Sequence, residues 1–552
     1  MILDRDGPRV TSAPLLADTV TSASRRERYL LEGLWDESTL PRRVQFHAME
    51  RPGAIAVIDE AGAHTFAQLA SDAAGLAAAL SGRGVTAGSV VSVQLPNRYE
   101  TVVVAVATLS LGAVVNPLLP NYRVHELGHV FRTVAPRVVF TPGVYRGFDH
   151  RTLIDDVAAV VGVEVLHVVV GDDPGPSPRR ISYEALAAEG ASSARVALLG
   201  AGRASAVSEV IFTSGTEAQP KAIMHTEQTA NFSVRVAFED LRMDADDVVW
   251  MPSPIGHSTG FNYGVRFALY HGLPLVLQDR WDGAVAAALV AQHGCSYTLA
   301  ATTFLQDLIA AAQAAGTSLE SLRYFGCGGA PVPAHLVDHA AEHGVQVLRL
   351  YGSTEVLVGT WNRPWSTVDQ RRNTDGMPMS HVEVTVRDDA GNDVGVGVEG
   401  ELWTRGPNTC AGFFADAERT AATFDADGWV KSGDLVVLDA DGHVTVVGRK
   451  KEIIIRGGIN IAPREIEELL VALPEVQRAA VIGVPDERLG ETMCACVVLE
   501  PGTTLDLETM VARLRTTGLA TYKLPQRLEV LDALPTTASG KIQKHELVKQ
   551  LG

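Results

Sequence analysis

The sequence predicts an α/β protein in which parallel sheets are covered by helices, followed by a small β-rich subdomain and a last unit with its own helix–strand alternation. Three observations predict it. Strand-like and helix-like apolar stretches alternate between Thr65 and Thr213. From about residue 380 the apolar runs shorten and are separated by Asp-Gly-type turns. Gly448-Arg449-Lys450-Lys451 then opens a further stretch of about a hundred residues in which helix and strand patterns alternate again.

In chain order, residues 1–30 form a polar leader, expected to be mobile. Thr65 to Gly82 spaces Leu69, Ala73, Leu76 and Leu80 along one helical face. Val90 to Leu95 alternates as a strand does. Val102 to Leu119 is the most apolar stretch, but Thr108, Ser110, Gly112 and Asn116 interrupt it. It therefore reads as a buried helix followed by a strand, not as a membrane span. Strands are expected at Val138–Thr141, Val163–Val170 and Val207–Thr213, and a βαβα rhythm of this kind implies parallel sheets with helices over them. Val382–Arg387, Gly400–Thr404 and Val436–Leu438 are the short strands of the β-rich part, with turns at Asp389-Ala390-Gly391 and Asp441-Gly442. No internal repeat is evident.

Composition excludes several classes. The 552 residues are 46% hydrophobic and 20% charged, enough apolar side chain to offset chain entropy, so a disordered chain is excluded. Net charge is −18, and a broad acidic surface repels phosphate backbones, so no nucleic-acid partner is expected; a local anion site remains compatible with it. Cys295, Cys327 and Cys410 are far apart, and Cys494 and Cys496 fall on one face of a strand. Neither a disulfide framework nor zinc-ligand spacing is present, so the cysteines read as buried thiols of a reduced, cytoplasmic protein. Met1 to Ser24 lacks the apolar segment of a secretory signal.

The chemistry is carried by short motifs. An apolar strand from Ser208 ends in Thr213-Ser214-Gly215-Thr216-Glu217-Ala218-Gln219-Pro220-Lys221. Small residues let backbone N–H groups approach an anion, hydroxyls add donors, and lysine adds a point charge. The usual phosphate loop ends Gly-Lys-Ser/Thr, whereas here Pro220 precedes Lys221 and Ala222 follows it. By itself the segment is also what an ordinary strand-to-turn junction looks like. Further on come Tyr351-Gly352-Ser353-Thr354-Glu355, Lys431-Ser432-Gly433-Asp434-Leu435, Gly448-Arg449-Lys450-Lys451-Glu452 with Arg456-Gly457-Gly458-Ile459-Asn460, and Ser539-Gly540-Lys541. With these motifs in this order, from Phe46 to the C-terminus, the sequence resembles the adenylate-forming superfamily: acyl-CoA synthetases, peptide-synthetase adenylation domains and beetle luciferases. Around Leu95-Pro96-Asn97 and Asn116–Pro120 it is most similar to short- and medium-chain or alicyclic acid–CoA ligases.

The resemblance implies a large N-terminal domain, residues 31–448, with two helix-covered sheets plus the β-rich subdomain. It also implies a mobile small α+β C-terminal domain, residues 449–552, hinged near Lys451. Thr213, Ser214, Gly215, Thr216 and Lys221 match the triphosphate loop, with Glu217 and Ala218 where Thr and Gly are usual and Ala222 in place of Gly. Tyr351, Gly352, Ser353 and Thr354 match the segment that packs adenine and meets phosphate, and Glu355 is a hard oxygen ligand suited to Mg2+. Asp434 matches the acceptor of both ribose hydroxyls, and Arg449 a second nucleotide contact. Lys541 matches a lysine that offsets charge when a carboxylate attacks phosphorus, so Lys541, Thr213, Lys221 and Glu355 are the expected catalytic set. His257, Ser258 and Phe261, with Cys327, Gly328 and Gly329, match the acid pocket. Gly457 and Gly458 match the place where pantetheine enters.

The implied reaction is a two-step ligation. A carboxylic acid and ATP give acyl-adenylate and pyrophosphate, and coenzyme A then takes the acyl group as a thioester. The alternative acceptor is the phosphopantetheine of a separate acyl carrier protein in secondary metabolism. Readings from other classes are a nucleotide-binding pseudoenzyme, suggested by the altered triphosphate loop, and a luciferase-like oxidation. Between Met251 and Gly264 there is no Asp or Glu to pair a substrate ammonium, so the acid is expected to have an uncharged, largely apolar tail.

Overall fold

The computed structural model describes residues 20–193, 202–213, 220–329, 332–456, 459–486, 488–517, 519–537 and 541–551. Thr65 caps the helix Phe66–Gly82 reciprocally with Gln68, and Leu69, Ala73, Leu76 and Leu80 point into the core. The stretch expected as helix then strand is helix Tyr99–Ser110, buried at every position but Glu100, followed by strand Val114–Pro117. These two helices share one continuous core with strands of both large sheets, including Val91 and Val93 on one side and Val57, Val249 and Leu275 on the other.

The first sheet has seven strands in the order Ala222–Thr226, Val207–Phe212, Val114–Pro117, Val90–Val93, Val138–Pro142, Leu166–Val170, Arg180–Ser182. All pairs are parallel except the first, where Ala222–Thr226 returns antiparallel beside Val207–Phe212. Val90–Val93 and Val138–Pro142 are buried on both faces, so the polar residues that make Val90–Leu95 alternate, Ser92 and Gln94, are buried as well and mark no solvent face. The second sheet has nine strands; Ile55–Asp59, Leu275–Leu277, Val249–Met251, Tyr297–Ala300, Tyr324–Gly328 and Gln346–Ser353 are parallel, and hairpins close both edges.

The β-rich part is a four-stranded antiparallel sheet, Glu383–Arg387, Gly400–Arg405, Val430–Leu438 and Val444–Arg449. Val436–Leu438 is thus only the end of a nine-residue strand. Its first half was hidden in the sequence by the polar run Lys431-Ser432-Gly433-Asp434, which pairs with Gly400–Arg405 and Val444–Arg449. The last unit has a sheet built on the long hairpin Val476–Asp486 and Gly490–Leu499, with Ile454–Arg456, Ile459–Ile461 and Arg527–Val530. On that hairpin Cys494 and Cys496 share a face, both buried, their sulfurs 4.0 Å apart beneath Leu534 and Leu547.

The end of the expected leader is ordered. Helix Ala23–Leu31 buries Tyr29, whose ring meets Trp35 edge-on at 5.0 Å, and Arg25 pairs with Glu383 at 3.3 Å. Polar residues dominate this helix, so only the tertiary contact shows that it packs. Among the described residues no helix is long and apolar enough to cross a membrane.

One buried ionic cluster joins four elements and was not foreseen. Arg266, fully buried, donates to Glu209 Oε2 at 2.9 Å, Glu227 Oε2 at 2.5 Å, Asn231 Oδ1 at 2.8 Å and Asn262 Oδ1 at 3.0 Å. Asn262 donates to the other oxygen of Glu209, and the backbone N–H of Leu40 donates to Glu227. The cluster thereby fixes strand Val207–Phe212, helix Glu227–Asp240, the wide helical turn Phe261–Arg266 and helix Leu40–Glu50 to one another. Removing a single ion from such a cluster leaves its partners charged and dry. Arg266→Met is expected to lower stability by ~3–5 kcal/mol, read as a fall in the denaturant midpoint against the parent protein.

Candidate active site

Two asparagines seat the loops that frame the site. Asn116, on Val114–Pro117, donates to Val210 O at 2.8 Å and accepts from Ser92 at 2.8 Å, aligning strand Val207–Phe212, which leads into Thr213. Asn97 donates to Ser253 O at 2.9 Å and Gln278 O at 3.1 Å, and accepts from Ile255 N at 2.8 Å. It thus holds the Met251–Ile255 segment, at the end of a strand of the nine-stranded sheet, against the seven-stranded one. Thr213 and Lys221 close the neck of the expected triphosphate loop: Thr213 N donates to Lys221 O at 3.0 Å, and Lys221 N to Thr213 Oγ1 at 3.4 Å. Ser214, Gly215, Thr216, Glu217 and Ala218 lie outside the described residues, as do Gly457 and Gly458.

At the nucleotide end, Tyr351, Gly352 and Ser353 finish strand Gln346–Ser353. Gly352 admits no side chain, since a Cβ there would lie 2.1 Å from Leu357 O. Leu357 itself takes the left-handed conformation, φ +54°, at the start of the returning strand, a strained geometry for a branched residue. Tyr351 is expected to offer its ring to adenine. The structure packs that ring among Leu402, Val436 and Val444 and uses its hydroxyl, which donates to Asp434 Oδ2 at 2.8 Å. Arg449 Nε holds Asp434 Oδ1 at 2.8 Å. Each carboxylate oxygen has two lone pairs, so Asp434 is oriented on both sides and can still accept a vicinal diol. Thr354 O accepts from His225 Nε2 at 2.7 Å, and Glu355 O accepts from Cys410 N at 2.8 Å. The Glu355 side chain has no ion pair among the described residues, which suits a cation ligand, and no group of three or more metal-ligating side chains exists among them. One carboxylate with substrate phosphates is how Mg2+ is commonly held.

At the acid end, His257 caps the short turn Ser258–Gly260: Thr259 N donates to His257 Nδ1 at 3.2 Å, which places the proton of the neutral ring on Nε2. Ser258 is buried, and Phe261 is embedded in the core below Arg266. Tyr324–Gly328 supplies Cys327 and Gly328. Cys327 is fully buried, 3.6 Å from Thr302 Oγ1, and burial pushes its thiol up to about 12, so it fills space and does not act as a nucleophile.

Lys541 joins the two ends. Its side chain passes Gly329 so closely that a Cβ there would lie 3.0 Å from Cε and 3.5 Å from Nζ; Gly329 also has φ +79°, so both sterics and backbone call for glycine. Burial, then Arg449, hold the Lys541 ammonium below the ordinary lysine value, while Asp434 and Glu355 act in the opposite sense. Burial and the charge of Lys541 bring His257 down to about 4. Lys541, His257, Gly329, Asp434, Arg449 and Glu355 therefore form one cluster drawn from distant parts of the chain. Lys451 is exposed, in the short turn Lys450–Glu452. Sequence reasoning missed His225, Asn97 and Asn116 as supports, because a single buried polar residue carries no pattern.

The His257 ring should stay neutral above about pH 5, visible as an imidazole signal in NMR that does not titrate near pH 6.5. Its folded value lies below its unfolded one, so between about pH 6.5 and pH 4 the unfolded chain binds more protons. Stability must fall as pH drops through that window and level off below it, and His257→Gln should reduce the slope.

Family models match both units: AMP-binding enzyme over residues 44–414 and AMP-binding enzyme C-terminal domain over residues 465–541. The chain is 36% identical to a medium-chain fatty-acid–CoA ligase of Escherichia coli (strain K12), covering 96% of this chain and 93% of the relative. It is 32% identical to a salicyl-AMP ligase/salicyl-S-ArCP synthetase of Mycobacterium tuberculosis (strain ATCC 25618 / H37Rv), covering 96% and 94%. ATP-bound MatB from Rhodopseudomonas palustris superposes with a TM-score of 0.82 at 27% identity, over 93% of this chain and 99% of that one. The chain belongs to the AMP-binding enzyme family and is an AMP-forming acid–thiol ligase.

Proposed function

We propose that the protein activates a largely apolar carboxylic acid with ATP and passes the acyl group to coenzyme A, using the cluster around Lys541. The observation that carries this reading is the approach of Lys541 to Gly329 beside His257, with Asp434, held by Tyr351 and Arg449, facing it. Asp434 takes the ribose diol and so positions the α-phosphorus. An acid carboxylate oxygen bonds to that phosphorus as the bond to pyrophosphate breaks, and the Lys541 ammonium offsets the charge that gathers there. Thr213 and Lys221 hold the neck of the loop that meets the phosphates. Glu355 would hold a magnesium ion, which neutralises phosphate charge when bound. In the second step a thiolate attacks the acyl carbon and AMP leaves.

With Lys541 set over Gly329 for adenylation, a second orientation of the C-terminal unit would serve the thiol step. The turn at Lys451 would be the pivot. Lys450 before it pairs with Glu401 and Asp389 of the large unit, both at 2.9 Å. Glu452 after it pairs with Lys544 of the last unit at 2.8 Å. The relative named a salicyl-S-ArCP synthetase supports carrier-bound phosphopantetheine as a second acceptor.

A panel of acids assayed for ATP-dependent pyrophosphate release, then with coenzyme A and with a phosphopantetheinyl carrier, tests the reading. Uncharged aliphatic, alicyclic or aryl acids should turn over, and an α-amino acid preferred over its deamino analogue would overturn the pocket assignment. Lys541→Ala should slow adenylation by a factor of about 10²–10⁴ while sparing thioester formation from presynthesised acyl-adenylate. Lys451→Pro, with φ locked, should do the converse. Equal losses in both half-reactions would show either residue to be structural.

A further inference from the structure

Beyond the motif residues, one buried carboxylate ties the large unit to the last one. Asp375 follows helix Val368–Asn373 and is 4% exposed. Its Oδ1 accepts from Arg349 Nη2 at 2.9 Å and Nε at 3.2 Å, and its Oδ2 accepts from Val446 N at 2.9 Å. Arg349 lies two residues before Tyr351, and Val446 lies on the strand that ends at Arg449. Asp375 is thus anchored to both strands that carry the nucleotide contacts. Its third partner crosses to the last unit: Arg464 Nη2 lies 3.7 Å from Oδ2.

Arg464 sits in the first turn of helix Pro463–Val471. Three residues along, Glu467 accepts from Lys544 at 2.8 Å, and its Oε1 also accepts from Val481 N at 2.7 Å. Lys544 in turn pairs with Glu452 and is only three residues from Lys541. A rigid helix and one lysine therefore connect Asp375 to the segment that delivers Lys541. Beside the pair the two units approach closely: a Cβ on Gly448 would lie 3.2 Å from Ala462 Cβ.

We propose that Arg464 is a positioning residue, a releasable latch whose ion pair with Asp375 holds the last unit in the orientation that places Lys541 at Gly329. The inference rests on the reading of Lys541 and of two orientations given above. Release is physically reasonable because neither ion is left bare by it. Asp375 keeps the Arg349 fork and the Val446 N–H, and Arg464 keeps Glu468, 3.0 Å away. A buried pair with only one partner on each side would hold the units too firmly, since separation would strand both charges. Here the latch biases an equilibrium between orientations and does not lock it.

The test uses the full chain carrying Arg464→Gln, Arg464→Lys or Lys541→Ala, and the double variant Arg464→Gln/Lys541→Ala. Two rates are read: pyrophosphate release with acid and ATP in the absence of thiol, and thioester formation from presynthesised acyl-adenylate and coenzyme A. Arg464→Gln should slow the first by about five- to fifty-fold, the range of a modest coupling between sites, and leave the second unchanged or faster. Arg464→Lys should recover part of the loss. In the Lys541→Ala background Arg464→Gln should slow adenylation no further, because the latch acts through that lysine. If Arg464→Gln lowers both rates together with the melting temperature, or changes neither, the latch is overturned. If Lys541→Ala itself leaves adenylation intact, the underlying reading of Lys541 fails; if Lys541→Ala slows it and Arg464→Gln does not, only the latch fails.

Discussion

A partly buried lysine ammonium set against a glycine is the constraint around which the molecule is arranged. Lys541 reaches its place only because Gly329 leaves the space, and its charge is tolerated there because Asp434 and Glu355 lie within electrostatic reach. The same charge, with burial, keeps the His257 ring neutral. Arg449, which disfavours the ammonium, is itself neutralised by Asp434 at 2.8 Å. Lys541 and His257 thus take their charge states from burial and from the charges beside them.

The rest of the fold brings these groups together and keeps them there. The two large sheets share a core through helices Phe66–Gly82 and Tyr99–Ser110, and the site lies where their strands end. Apolar packing alone is non-directional, so register between the layers depends on buried polar side chains. Asn97 and Asn116 fasten loop and strand backbones, and Arg266 fastens four elements through two carboxylates. These contacts stand immediately behind the triphosphate neck and the acid segment, where small displacements matter most for positioning reactants.

The ion pairs near the junction are also partitioned between the two units. Around the Lys450–Glu452 turn, one side chain is tied to the large unit and its near neighbour to the last unit, so rotation about the residue between them leaves both attachments intact. Asp375 and Arg464 form the contact that such a rotation would break, and each has a second partner ready. A hinge of this kind needs no unusual backbone, only a short exposed turn between two anchored residues.

The sequence alone determined the α/β rhythm, the change to short antiparallel strands and, through its motifs, the family. Apolar periodicity records burial directly, and motifs such as Tyr351–Glu355 place several reactive groups within a few residues. It missed the first half of strand Val430–Leu438, where Asp434 needs a polar run inside a sheet, and the packed helix Ala23–Leu31, whose contacts are few and distant. The hydrogen bond from Tyr351 to Asp434, the grip of Asn97 on four backbone groups, the ionic cluster at Arg266 and the Asp375–Arg464 pair were decided only by the tertiary structure. Each depends on residues dozens to hundreds of positions apart meeting at hydrogen-bond distance, and a single buried polar side chain has no period by which a sequence could announce its partner.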